Sequence, residues 1–117
     1  MSIRIVVTGG RDYGDRESLW HLLDRLHEKH NISALAHGGA SGADRFSDMW
    51  ARNRGVHVEP YPADWRIRGK AAGPERNRRM LDHFKPDVVV ALPGGRGTKD
   101  CCSAAKERGI LVWTPLE

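Results

Sequence analysis

Three short segments carry glycine in pairs: TGGRDYGD (8–15), HGGASGAD (37–44) and PGGRGT (93–98). A backbone without side chains can lie close against a ligand, and successive N–H groups in such bends attract anions. Gly9, Gly10, Gly38, Gly39, Gly94, Gly95 and Gly97 are therefore candidate phosphate contacts. Ser41 and Gly42 extend the second segment, and Thr98 can donate a hydroxyl hydrogen bond in the third. Arg11 and Arg96 bring positive charge to the first and third. Plainer readings stand beside these. Glycine is the ordinary residue of a tight turn, Arg96 suits a solvated loop, and Ser41 suits a helix N-cap.

Carboxylates fall in or near the same segments, at Asp12, Asp44, Asp64 and Asp100. Such groups can hold ribose hydroxyls or stabilise positive charge at a glycosidic carbon. They can equally complement the positive end of a helix, or in the case of Asp12 shape a turn. A further polar cluster is ERNRRM (75–80). Asn77 lies on the apolar stripe of Met80, Leu81 and Phe84, so it needs a polar partner, and a ligand is one candidate. Arg76 beside it is a candidate phosphate contact, whereas Arg78 and Arg79 read as exposed. Trp65 suits stacking on a base, and equally an anchor for its loop or a dimer contact.

The elements that must position these residues follow from apolar periodicity. Strand-like runs occupy 3–10, 33–39, 56–62, 87–93 and 110–115. Helical spacing predicts helices over 16–30, 43–55, 74–84 and 98–109, with Pro74 at a first helical position and Gly55 and Gly109 as stops. The segment 62–73 reads as a polar loop, and Phe46, Met49, Trp50 and Asn53 as one side of the second helix. Alternating strands and helices predict a mostly parallel sheet of about five strands with helices on both faces. In such sheets ligands bind beyond the carboxyl ends of the strands. All three glycine pairs fall on that edge.

Composition bounds the rest. The 117 residues suit one domain, 1–117. No apolar run approaches the ~20 residues of a membrane span, and MSIRIVVTGG lacks a signal-peptide layout, so a soluble, cytoplasmic protein is expected. Net charge is +4, from 19 basic and 15 acidic residues, which favours an anionic partner without signalling nucleic acid. Cys101 and Cys102 are adjacent and poorly placed to pair; no Cys/His spacing matches a zinc site, and no metal or cofactor is expected. Neither G-x-G-x-x-G after the first strand nor G-x-x-x-x-G-K-[ST] is present, which argues against a dinucleotide dehydrogenase or a P-loop phosphatase.

PGGRGT, HGGASGAD and AGPERNRRM together resemble the SLOG superfamily, the Rossmann-like group of the Lonely Guy phosphoribohydrolases and DprA-type proteins. The chain is most similar to its small stand-alone YspA-type, cpYpsA-related branch. The resemblance implies a single Rossmann-like three-layer domain, a homodimer, and a nucleotide or nucleotide-derived ligand, sensed or turned over. The Lonely Guy reaction cleaves the bond between base and ribose 5′-phosphate. Its P-G-G-x-G-T-x-x-E motif matches Pro93, Gly94, Gly95, Gly97 and Thr98, but Cys101 stands where the glutamate belongs. Its R-K-x-x-M pattern matches Arg76 and Met80, with Asn77 replacing the lysine. Asp100, one residue earlier than Cys101, is the substitute carboxylate, with Arg76 assisting. A third expectation, DprA-like binding of single-stranded nucleic acid, would need stacking aromatics along a groove, and few are present.

Overall fold

The computed structural model describes residues 1–116. The apolar runs form strands β1 (Ile3–Thr8), β2 (Ile32–His37), β3 (His57–Pro60), β4 (Val88–Ala91) and β5 (Leu111–Trp113). They make one sheet in the order β3-β2-β1-β4-β5, parallel at every pairing. Between them run α1 (Arg16–His30), α2 (Ala43–Arg54), α3 (Trp65–Arg68), α4 (Ala72–Phe84) and α5 (Arg96–Glu107). A 3-10 turn at Gly69–Ala71 joins α3 to α4.

Successive strand side chains leave opposite faces, so the central strands feed two cores. Ile5, Val7, Val88 and Val90 meet Leu19, Leu22 and Leu23 of α1 and Trp50 and Ala51 of α2. Val6 and Val89 meet Met80, Leu81 and Phe84 of α4 and Cys101, Ala104 and Ala105 of α5. Burying one such Leu or Met contributes about 1.5–3 kcal/mol, so each helix is held chiefly by its apolar stripe. The result is the expected α/β three-layer sandwich. Among the described residues, no helix is long and apolar enough to cross a membrane.

Three local expectations need correction. The segment 62–73 is not all loop: it contains α3, and α4 starts at Ala72, which puts Pro74 third rather than first. Its missing N–H costs nothing there, because the first turn has no intrahelical acceptors. Helix α5 starts at Arg96, two residues early, so Gly97 and Thr98 belong to its first turn. The buried face of α2 is Ala43, Ser47, Trp50 and Ala51, while Met49 is 38% exposed. The Trp50 indole fixes that rotation by donating to Asp24 Oδ1 at 2.8 Å.

Strand order reverses between β1 and β4. The chain leaves β1 toward β2 on one side and enters β4 on the other, which opens a crevice above their carboxyl ends. The two strands stay linked past their ends: Leu92 N–H donates to Thr8 O at 2.8 Å and Gly10 N–H to Pro93 O at 2.9 Å.

Candidate functional site

A cleft of about 1350 Å³ sits in that crevice. Its walls are the turn after β1 (Thr8–Asp15), the Gly38–Ala40 turn after β2, Pro62–Trp65, the start of α4, and Pro93–Thr98 at the head of α5. Of the residues singled out in the sequence, Gly9, Gly10, Arg11, Asp12, Gly38, Gly39, Asp44, Arg76, Gly94, Gly95, Arg96, Gly97, Thr98 and Asp100 all line it. Ser41, Gly42 and Asn77 lie behind the lining.

The glycines divide by what surrounds them. A Cβ on Gly9 would fall 2.6 Å from Ala43 Cβ and 2.9 Å from Leu92 Cβ, so this glycine lets α2 pack against the sheet. A Cβ on Gly94 would collide with Thr98 Oγ1 and with Gly10 N, so this one lets the β1 and β4 turns touch. Gly42, at φ +72°, lies against the carbonyls of Gly10 and Arg11, and Ser41 Oγ donates to Arg11 O at 3.3 Å. These contacts brace the β1 turn from behind. Around Gly95 and Gly97 there is open space where a Cβ would point, and both face the cleft.

Two of the helices that begin at this edge have different fates. The first N–H of α2, at Ala43, donates to Gly10 O at 3.3 Å, so that end is occupied by protein. The first turn of α5 has no side-chain cap. Among the described residues, the N–H groups of Arg96, Gly97 and Thr98 find no acceptor. Unmet donors at a helix N-terminus carry partial positive charge and suit phosphate.

Arg76 supplies a full charge on the facing helix. Its Nη1 donates to Gly38 O at 2.5 Å and its Nε to Asn77 Oδ1 at 2.8 Å. These anchors fix the guanidinium in the wall, where burial pulls its pKa below the usual arginine value. Asn77 is 3% exposed. Besides accepting from Arg76, its Nδ2 donates to Asp100 Oδ2 at 2.9 Å and to Gly97 O at 3.2 Å. Asn77 thus ties the cation on α4 to the first turn of α5. Arg78 completes the network with an ion pair to Asp100 Oδ2 at 3.1 Å, against the expectation of a solvated side chain.

Asp44 is 5% exposed, and its Oδ2 accepts from Ala40 N–H at 3.2 Å. Desolvation raises its pKa, opposed by backbone hydrogen bonds and by the nearby His37 and Arg76. His37 holds the same turn: Nδ1 accepts from Gly39 N–H at 2.9 Å, so Nε2 carries the proton toward Asp48 Oδ1 at 2.8 Å. Cys101, where the Lonely Guy motif carries glutamate, is fully buried, and desolvation pushes its thiol up to about 12. It is a neutral core residue beneath the cleft, hydrogen-bonded with Thr8.

Sequence reasoning passed over Lys70, Tyr13 and His37. Lys70 lines the cleft from the 3-10 turn. The Tyr13 hydroxyl is buried without a partner. The segment spacing held no periodic signal for Lys70, and His37 reads as a strand end. Trp65 packs over Gly73, 3.1 Å from where a Cβ would sit, and Arg11 lies 5.3 Å above its ring. Together they form one lip of the cleft.

The Gene 61 protein of Mycobacterium phage D29 is 41% identical over 117 residues, covering 93% of each chain. The structure of UDP-GlcNAc 2-epimerase from Neisseria meningitidis bound to UDP-GlcNAc has a TM-score of 0.55 at 18% identity, over 96% of this chain. This chain spans only 31% of that enzyme, and the likeness is one of fold. A family model matches residues 3–67, from β1 through most of α3, and with the phage relative it shows that the chain belongs to the YspA, cpYpsA-related SLOG family.

Proposed function

We propose that the cleft binds a phosphorylated nucleotide or nucleotide-derived ligand. The observation that carries this reading is the uncapped first turn of α5 opening into the same cleft as Arg76. The phosphate sits against the N–H groups of Arg96, Gly97 and Thr98 and the Thr98 hydroxyl, with Arg76 opposite. The base lies toward Trp65, and Asp44 and Asp100 face the sugar hydroxyls. Ser41, Gly42, His37 and Asn77 hold the walls rather than the guest. The test is thermal shift and calorimetry with a panel of nucleosides and their 5′-phosphates. Arg76→Ala should weaken the phosphorylated members by roughly tenfold or more and the free nucleosides little, as expected for a charge-assisted contact. Equal loss for both would remove the phosphate assignment.

A second reading, hydrolysis of the base–ribose bond of a nucleoside 5′-monophosphate, is favoured by one observation: Asp100 reaches the cleft with its orientation set by Asn77 and Arg78. Cys101 has no part in such chemistry, being buried and protonated. The residues would divide as follows: the α5 turn and Arg76 orient the phosphate, and Asp100 stabilises the cationic anomeric carbon. Release of free base from any panel member, abolished by Asp100→Asn with binding retained, establishes turnover. Binding without base release leaves the protein a receptor.

A further inference from the structure

We infer that the ligand carries a phosphoanhydride chain, two or more linked phosphates, rather than one phosphate. This rests on the nucleotide-binding reading and narrows its ligand class. Four cationic side chains line the cleft: Arg11, Lys70, Arg76 and Arg96. None of them holds a carboxylate among the described residues. Arg11 is engaged only with the Trp65 ring, Arg76 donates to carbonyls and an amide, and Lys70 and Arg96 are exposed without hydrogen bonds or ion pairs. Elsewhere Arg52, Arg54, Arg68, Arg78 and Arg108 each grip an acid.

The lining acids cancel these charges only in part: Asp100 is taken by Arg78 and Asp44 is buried with its pKa raised, which leaves Asp12 and Asp15 against the four cations. One phosphate seated at the α5 turn with Arg76 satisfies a single cation and the helix end. Arg11, Lys70 and Arg96 then remain, on different walls of the same space. Unpaired like charges facing one cleft repel, and a second phosphate relieves that repulsion. Size agrees: about 1350 Å³ exceeds the ~300–1,000 Å³ of ordinary small-ligand pockets, leaving room for a chain between sugar and wall.

The test uses the full chain without divalent metal. Affinities are measured for AMP against ADP, GMP against GDP, UMP against UDP, and inorganic phosphate against pyrophosphate. At least one nucleoside diphosphate should bind about tenfold tighter than its monophosphate, and pyrophosphate should exceed phosphate similarly, because added charge-assisted contacts are strong. Lys70→Ala, a surface change away from the α5 turn, should remove most of that gain while monophosphate affinity stays within about twofold. Equal affinities for mono- and diphosphates, or a gain that survives Lys70→Ala in full, overturns the inference and leaves the monophosphate reading standing. No binding of any phosphorylated probe overturns that reading and this one with it.

Discussion

Gly94 and Gly97 stand three residues apart and are bare for different reasons. An alanine at 94 has to displace Thr98 or the Gly10 backbone, so Gly94→Ala should destabilise by about 1–3 kcal/mol in urea unfolding, as overpacking does. At 97, inside α5 with open space around it, Gly97→Ala should stabilise by up to about 1 kcal/mol through helix propensity. The same change places a methyl group where the ligand backbone contact is proposed, so phosphate affinity should fall. Higher stability with unchanged affinity would show that the guest sits elsewhere. Asp44 gives a second residue-scale test. Its folded pKa is raised, so the native state holds a proton that the unfolded chain has released, and stability drops as pH rises through that window. Asp44→Asn keeps an acceptor for Ala40 N–H and cannot ionise. It should therefore raise the melting temperature at pH 7.5 and lose that advantage near pH 4.

At the scale of elements, the α4–α5 contact matters most, and Asn77 is its polar link. Asn77→Asp keeps an acceptor for Arg76 Nε but turns both donations, to Asp100 and Gly97, into repulsions. Destabilisation of at least about 2 kcal/mol is expected at pH 7.5, since buried polar groups lose their partners. Unchanged stability would mean that Asp100 moves away. This contact also marks the limit of what sequence could show. Strand and helix order, the α1 bounds and the glycine edge were legible, because apolar periodicity and turn residues are local signals. That Asn77 needed a polar partner was legible too. That the partners are Asp100 and Gly97, more than twenty positions away or nearly so, depends on how two helices cross. Helix α3 was missed because four residues cannot display a helical period, and Met49 was misplaced because the hydrogen bond from Trp50 to Asp24 sets the rotation of α2.

For the whole molecule, the crevice joins two halves of one sheet. A ligand spanning it binds only the folded state, and at a hundredfold excess over Kd it should add about 2.7 kcal/mol to the free energy of unfolding. A thermal melt in the presence of the tightest panel member measures this. Cys101 lies between the sheet and its neighbours on α5, sealed from solvent. A thiol with no exposed surface, held protonated by its surroundings, is silent toward alkylating reagents while the sheet and α5 remain together. Its modification rate, followed by peptide mass spectrometry, therefore times the opening of this fold, and a bound guest should slow that clock.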